Sequence, residues 1–347
     1  MMKLFPFSTI RVWNKALLFG LFFVSPLISQ PAYAVDDYMY EDEIEYALAE
    51  RSKKERQELG SNQISANTGS DNPTPNGRKT TFEDPRFSGV FKIDFKTQYI
   101  SFGVVLQDEG VSIQPMLALR YTFFDKILDK SEDSFINNVT GFISSWNDIS
   151  TNKDLSKPIS SYRYFTEADL VTGVSVTFND RFNLTTSLTE LNSPAYAFRP
   201  GAFLKAVLSM DDTGMYGDNF ALKPQFLLIY EIPWEGQIGL QPDAFLFEPG
   251  LTPTYTFGAD SSFPVTLSVP MRVGLGNKFY DGETYGFFSI GPEFTLPIPS
   301  LSTETIKTYA NIGYTYINLG ETTQYFILNE DKSSHKHVAT FGLTTTF

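Results

Sequence analysis

From about residue 82 to the end of the chain, apolar side chains alternate with polar or small ones. The segments that follow this period of two most closely are 91–99, 111–123, 168–178, 182–188, 245–257, 263–275, 288–296, 310–316 and 339–347. Less regular runs lie near 137–146, 201–210 and 221–231. Alternation at a period of two predicts β-strands with one apolar and one polar face. The sequence therefore predicts about twelve strands of about ten residues, an even number typical of bacterial membrane barrels.

The composition of the polar face indicates what each face of these strands contacts. The polar face carries mainly Thr, Ser and Gly with isolated charges. A water-soluble sandwich would instead need a heavily charged outer face, because its apolar face would be inside. We therefore expect the apolar face to meet lipid and the polar face to line a lumen. The predicted fold is all-β, a transmembrane antiparallel β-barrel over residues 82–347.

Aromatic residues flank the connections between the predicted strands. The short connection at 179–180 lies between two phenylalanines, and the longer ones at 276–284 and 319–336 are bordered mainly by tyrosines. We also place Trp146 and Tyr280 in the girdle at the long-loop end. Two aromatic girdles, with short turns at one end and longer loops at the other, are typical of an outer-membrane barrel. The alternative is that aromatic residues simply end strands here, as in any β protein.

The first 81 residues follow a different pattern. Basic residues precede an apolar run at 16–28, and Ala32-Tyr33-Ala34 follows it. This pattern predicts a cleaved signal peptide over residues 1–34, because the run is shorter than the about 20 residues of a spanning helix. Residues 35–81 predict an acidic periplasmic helix and a flexible linker. A partner-binding role for that helix is the alternative to weak packing.

Composition and charge exclude several classes of protein. The chain has 347 residues, of which 15% are aromatic, and it has no Cys. Disorder throughout is excluded by the aromatic content, and a disulfide scaffold or thiol chemistry by the absence of Cys. With 40 acidic and 27 basic residues the formal net charge is −13. Nucleic acid is therefore not an expected partner, because phosphate-binding surfaces are basic.

The chain ends in Phe347, with Phe341 and Leu343 at alternate positions before it and Thr345 as a departure from the apolar pattern. This ending resembles the C-terminal signal of Gram-negative outer-membrane β-barrel proteins of the porin type. The resemblance implies insertion into the bacterial outer membrane by the barrel-assembly machinery. Outer-membrane lipid and lipopolysaccharide are then expected as neighbours, and the oligomeric state is left open.

A second resemblance lies between the first two predicted strands. The stretch Tyr99–Pro115 (YISFGVVLQDEGVSIQP) is similar to the first hairpin of the TorF-type porins. In that family an Arg usually precedes the glycine, whereas this chain has Phe102 there. The stretch covers a small part of the chain, so it implies the barrel class more than a particular transport activity.

Charged residues are scattered along the predicted lumen face rather than clustered. They are Lys92, Asp94, Lys96, Arg120, Asp169, Lys205, Lys223, Glu231, Glu248, Arg272, Glu293 and Lys307. In a water-filled pore such groups set ion selectivity, and the slight basic excess favours anions. In a narrow barrel they can instead pair across the lumen and close it, because neither partner stays unpaired once water is excluded.

The histidines offer little chemistry. His335 and His337, the only two in the chain, share a face at strand spacing within the last long loop. No third metal ligand is evident, and Lys336 between them opposes a cation. The same shortage of histidines argues against an outer-membrane hydrolase with a Ser nucleophile. We expect no catalytic residue, no metal and no cofactor.

The remaining acidic motifs predict turns and loops. Asp212-Thr213-Gly214 matches the aspartic-protease triplet, but it has no second copy and fits a turn between strands. The acids at 108–109 and 329–331 are interpreted as solvated loop charges, with binding of Ca²⁺ or of lipopolysaccharide-bridging cations as the alternative.

Two functions are compatible with this pattern. The first is a narrow porin-like channel for passive diffusion of small hydrophilic solutes or ions. The alternative is a structural or surface-interaction barrel with a closed lumen and no transport.

Overall fold

The computed structural model describes residues 86–131, 134–151, 164–195, 200–232, 244–325 and 331–347. The predicted signal peptide (1–34) and the predicted helix and linker (35–81) lie outside the described residues. The strands are β1 (Phe87–Lys96), β2 (Tyr99–Ser101), β3 (Val104–Gln107), β4 (Ser112–Asp125), β5 (Ile136–Ser150), β6 (Phe165–Phe178), β7 (Phe182–Asn192), β8 (Gly201–Met210), β9 (Phe220–Ala221), β10 (Pro224–Glu231), β11 (Phe245–Leu251), β12 (Thr254–Phe257), β13 (Val265–Ser268), β14 (Met271–Tyr280), β15 (Glu283–Ile290), β16 (Glu293–Pro297), β17 (Lys307–Leu319) and β18 (His335–Thr346). A 3-10 turn spans Pro299–Leu301 and a one-turn α-helix spans Glu321–Gln324. In the part of the chain described, no helix is long and apolar enough to cross a membrane.

Twelve strand positions close into one antiparallel barrel. The wall order is β1-β4-β5-β6-β7-β8-β10-β11-β14-β15-β17-β18, and β18 pairs back with β1. Closure pairs every wall strand on both sides, so the barrel has no open sheet edge. Each of the twelve segments with alternating sequence lies on a different wall strand. The predicted all-β barrel of about twelve strands is confirmed.

Four adjacent wall strands are interrupted at a proline. The segments 220–231, 245–257, 265–280 and 283–297 are each split into two pieces; Pro253, Pro270 and Pro292 lie within three of the breaks, and Pro224 directly follows the fourth. Proline has no N–H to donate to the strand ladder. The backbone N–H groups of Val269 and Gly291 still donate to the carbonyls of Pro253 and Pro270, at 2.8 and 3.2 Å. The wall therefore stays hydrogen-bonded across the interruptions, which the alternation pattern did not predict because it counts proline as an apolar residue.

The outward face of the wall is apolar and exposed. Leu117 and Val174 are 42% and 41% exposed, whereas their neighbours Met116 and Ser175 are 5% and 3% exposed. The same alternation recurs on the other wall strands. A continuous exposed apolar surface of this extent is unfavourable in water and is typical of the lipid-facing wall of a membrane barrel.

A charge placed on the outward face tests its contact with lipid. Leu117 lies near the middle of β4. We expect Leu117→Arg to destabilise the barrel in lipid vesicles by about 2–4 kcal/mol, because a cation at the middle of the bilayer is poorly solvated. Urea unfolding of this variant beside Leu117→Ala measures the difference. Equal stabilities of the Arg and Ala variants would contradict a lipid contact at this position.

The connections alternate between two ends of the barrel. We call the end that carries the connections 97–111 and 320–334 the loop end, and the opposite end, where β1 begins and β18 finishes, the turn end. The predicted long connection at 276–284 is wrong. β14 continues to Tyr280, and β15 follows after the tight turn Asp281-Gly282, whose φ angles are +52° and +93°. An Asp-Gly pair with positive φ at both residues is the common two-residue hairpin turn.

Candidate functional site

The connection between β1 and β4 folds into a second, smaller sheet. β2 and β3 form a separate two-stranded antiparallel ribbon, with Tyr99 opposite Gln107. All four residues of β3 are buried, although alternate residues of most wall strands are exposed. A strand that is buried on both faces is surrounded by protein. We call the segment 97–111 the lumen hairpin; its strands β2 and β3 therefore lie inside the barrel at the loop end, whereas Thr97 and Val111 at its two ends are exposed.

The turn of the lumen hairpin is strained and is held in place by the wall. Phe102 and Gly103 have φ angles of +45° and +80°. Glycine adopts this conformation freely, whereas a large residue such as Phe102 does so at a cost of about 1–3 kcal/mol. The Phe102 ring is buried and meets Phe279 of β14 edge-on, with ring centroids 6.2 Å apart and planes at 90°. This packing against the wall offsets the strain.

The hairpin turn packs against two aromatic residues of the wall, Tyr280 and Phe287, each of which lies beside a glycine. The Tyr280 hydroxyl donates to the carbonyl of Phe102 at 3.0 Å, and the ring is fully buried. A Cβ at Gly286 would lie 1.9 Å from the Tyr280 ring, and one at Gly274 would lie 2.2 Å from the Phe287 ring. Glycine at these positions of β14 and β15 therefore gives both rings their space. The glycines of β14 and β15 are visible in the sequence, but the alternation pattern alone does not indicate that they make room for aromatic rings.

The other side of the lumen hairpin packs against β5 and β6. The Tyr99 hydroxyl donates to Glu167 Oε2 at 3.0 Å, and the Tyr99 and Trp146 rings are 5.5 Å apart. The placement of Trp146 and Tyr280 in an outer aromatic girdle is therefore wrong, because both side chains point inward. A twelve-stranded barrel is wider than its wall side chains can fill. The lumen hairpin fills the space by contacting β5 and β6 on one side and β14 and β15 on the other.

Ion pairs attach the lumen hairpin to β18. Lys336 Nζ donates to Asp108 Oδ1 and Oδ2 at 2.8 and 2.9 Å and to Asp331 Oδ1 at 2.6 Å. The side chains of Lys336 and Asp108 are only 1% and 8% exposed. Gln98 Nε2 donates to Asp108 Oδ1 at 2.9 Å. We call Lys336, Asp108 and Asp331 the Lys336 cluster; it links the hairpin to the connection that follows β17.

The interpretation of Asp108 as a solvated loop charge is wrong, because its carboxylate is enclosed and paired. Asp331 stays more exposed, and residues 326–330 lie outside the described residues. The hydrogen bond from Lys336 lowers the pKa of the Asp331 carboxyl below its ordinary value of 3.8, helped by the backbone N–H of Ser333. A carboxyl with a lowered pKa contributes stability above its ordinary pKa and loses it as the pH falls through the lowered one. Mild acidification to pH 5 therefore leaves this contact intact.

The predicted lumen charges fall into three groups by burial. Those that are at least nine-tenths buried are Lys92, Asp94, Lys96, Asp169, Lys205, Glu231, Glu248 and Arg272. Arg120, Lys223 and Glu293 are partly exposed. Lys307 is exposed at the turn end, where its Nζ donates to the carbonyl of Thr303 at 2.7 Å.

Several of the buried charges are neutralised within the wall. Arg272 Nη1 donates to Glu248 Oε1 at 3.1 Å. Lys92 Nζ lies 3.5 Å from Asp94 Oδ2, and Gly342 on the neighbouring β18 leaves room for the Asp94 carboxylate. Burial of a charge is tolerated when an opposite charge accompanies it. These two pairs form between neighbouring positions on the wall.

Arg120 is placed differently from these pairs. Its guanidinium lies over the ring of Phe142 on β5, 5.8 Å from the ring centroid. A cation over an aromatic face is attracted by the negative charge density of that face. Arg120 thus has an aromatic neighbour on the inner face of the turn-end half.

The residues considered for catalysis do not assemble a site. Asp212 is buried in a turn, and its Oδ1 accepts hydrogen bonds from the backbone N–H groups of Leu222 and Lys223 at 3.1 and 2.9 Å. This is the structural role expected of a turn aspartate. His335 and His337 lie in β18 and not in a loop, and both are exposed on the outward face. Among the described residues, no three or more His, Cys, Asp or Glu side chains are grouped to hold a metal.

The residues of the predicted C-terminal signal occupy the last wall strand. Phe341 is 47% exposed on the outward face of β18, and Leu343 shares that face. The backbone of Phe347 exchanges two hydrogen bonds with Gly89, at 2.8 and 3.0 Å. These contacts place the end of the chain beside β1, where the barrel closes. Their role in insertion stays a prediction.

No protein-family model and no curated protein matches the sequence. Among solved structures, a bacterial polysaccharide outer membrane secretin matches with a TM-score of 0.37 and 10% identity, over 75% of this chain and 97% of its own. The β domain of the Bordetella autotransporter BrkA matches with a TM-score of 0.38 and 10% identity, over 75% and 98%. LpxR from Salmonella typhimurium matches with a TM-score of 0.38 and 10% identity, over 74% of this chain and 99% of its own. At these scores the similarities add nothing to the barrel that the strand registers already define.

Proposed function

We propose that the chain is a bacterial outer-membrane β-barrel whose lumen is held closed at the loop end, so that it does not act as a permanently open pore. The lumen hairpin carries this proposal, because it contacts opposite sides of the wall and is attached by the buried Lys336–Asp108 ion pair. The apolar outward face supports a location in lipid, and the signal-peptide and C-terminal patterns support the outer membrane. The work of such a barrel lies at its surface rather than in free diffusion.

A second candidate is a narrow channel for small hydrophilic solutes that conducts only when the hairpin leaves the lumen. One observation favours it: β2 and β3 form their own sheet, so these two strands can move without breaking the pairing of the wall strands. The paired charges Arg272–Glu248 and Lys92–Asp94 would then line a polar passage.

We assign the chain no enzymatic activity. Both of its histidines lie on the outward face, where they cannot serve a nucleophile within the lumen. A Ser nucleophile needs a general base within hydrogen-bond reach. The outward position of both histidines argues against a Ser–His pair within the lumen.

Recordings from planar bilayers test the proposal. For the purified wild-type barrel we expect no current steps above leak, because the loop end of the lumen is filled. Brief, intermittent steps would favour the second candidate, in which the hairpin leaves and returns. A stable conductance in every inserted molecule would contradict closure.

A further inference from the structure

His335 and His337 present two imidazoles side by side on the outer wall. Residues two apart on a strand point to the same face and lie about 6.6 Å apart. Both side chains are exposed near the loop end of β18. The chain has no other histidine and no cysteine, so no other imidazole and no thiolate competes for the ion.

A tyrosine of β17 orients each imidazole. The Tyr316 hydroxyl lies 2.7 Å from His335 Nδ1, and the Tyr314 hydroxyl lies 2.5 Å from His337 Nδ1. The Tyr316 ring also stacks on His335 at 5.9 Å with an interplanar angle of 19°. Histidines that bind a metal use one ring nitrogen as ligand and donate the other N–H to a hydrogen-bond partner, which fixes the orientation of the ring. Here the tyrosine oxygens can accept from Nδ1–H, which leaves both Nε2 lone pairs for a ligand.

Asn318 of β17 lies beside the His335 imidazole. The Tyr285 hydroxyl of β15 donates to Asn318 Oδ1 at 2.8 Å, and Asn318 Nδ2 lies 3.5 Å from His335 Nδ1. The Asn318 amide is a donor, so it does not bond Nδ1 when Nδ1 carries its proton, and Tyr316 at 2.7 Å is then the partner of His335.

The structure removes the electrostatic objection to a cation at this position. Lys336, between the two histidines in sequence, points to the opposite face of the strand and lies inside the barrel. Its charge is held there by Asp108 and Asp331. The ammonium group is therefore on the far side of the wall from the imidazoles and is already neutralised.

We propose that His335 and His337 together bind one divalent transition-metal ion of the Zn²⁺, Cu²⁺ or Ni²⁺ class through their Nε2 atoms. Imidazole suits these metals, whereas Ca²⁺ and Mg²⁺ require oxygen ligands. Metal–nitrogen bonds of about 2.0–2.1 Å allow two rings on neighbouring same-face positions to share one ion. Two protein ligands leave the other positions to water, so the site is an exchangeable one at the rim of the barrel. It is independent of whether the lumen conducts.

Metal titration of the untagged full-length protein in detergent tests the site. With Ni²⁺ in calorimetry and Cu²⁺ in electron paramagnetic resonance, we expect one ion per chain and hyperfine coupling to two imidazole nitrogens. His335→Gln and His337→Gln should each lower the affinity by about tenfold or more, and the double variant should not bind. Tyr316→Phe should lower the affinity by about tenfold, because it removes the partner that orients a ligand.

Absence of binding by the wild type, or binding that the double variant retains, would exclude the histidine pair as the site. One ion per two chains would mean that two copies supply the ligands. Since both side chains are exposed, the variants should keep the heat-modifiable gel migration of the wild type, which serves as the folding control.

Discussion

A barrel in which residues 97–111 are replaced by an Asn-Gly turn should conduct ions, whereas the wild type should not. Lys96 of β1 already pairs with Ser112 of β4, so the two wall strands can be joined by a two-residue turn without a change of register. The change removes the atoms that fill the lumen at the loop end and keeps the β1–β4 pairing as far as Lys96 and Ser112. We expect current steps from every inserted molecule in planar bilayers.

A matched control keeps the lumen hairpin and alters only an exposed part of it. Glu109 is exposed, so the Glu109→Gln variant, like the wild type, should give no current steps above leak. A hairpin-deleted barrel that folds and inserts but stays silent would show that another part of the chain closes the lumen. Heat-modifiable migration on gels verifies that each variant is folded before its current is recorded.

Lys336→Met should lower the free energy that holds the lumen hairpin in the barrel by about 3–5 kcal/mol. Removing one partner of a buried ion pair leaves the other charge without compensation. The Asp108 carboxylate would remain enclosed without the ammonium group that now binds both of its oxygens. The predicted consequence is faster hydrogen exchange of the β3 amides, together with intermittent channel openings. The free energy of unfolding in urea should fall as well.

Two further variants separate the ion pair from general damage. Asp331 is 60% exposed, so Asp331→Asn should lower the free energy of unfolding far less than Lys336→Met does. Adding Asp108→Leu to Lys336→Met removes the unpaired carboxylate and should recover much of the lost stability, as a double-mutant cycle measures. Equal small effects of Lys336→Met and Asp331→Asn would contradict a buried link between the hairpin and the wall.

Alternation identified the wall strands because every strand of a membrane barrel has one face toward lipid and the other toward the lumen. Leu117 and Val174 face outward and Asp94 faces inward for the same reason, the pleat of the strand. The pattern is local, so it needs no knowledge of which strands are neighbours. It also assigned Lys307 to the lumen, although this side chain lies at the first residue of β17 and is exposed at the turn end.

Alternation could not predict the position of the lumen hairpin, because that position depends on contacts between distant parts of the chain. Asp108 and Lys336 are 228 residues apart, and Phe102 and Tyr280 are 178 apart. The sequence of β3, Val-Val-Leu-Gln, has no alternation, which is compatible with a strand buried on both faces but not proof of one. Only the closed barrel brings the two partners of each contact together.

The central claim is that the lumen hairpin lies inside a folded barrel, and thiol accessibility tests it most directly. The chain has no cysteine, so a single introduced thiol gives a signal without background. Val105 is fully buried and Glu109 is exposed. In lipid vesicles, Val105→Cys should resist a small hydrophilic maleimide until the protein is unfolded, while Glu109→Cys should react at once. Equal reaction rates of the two thiols in the folded protein would contradict the claim.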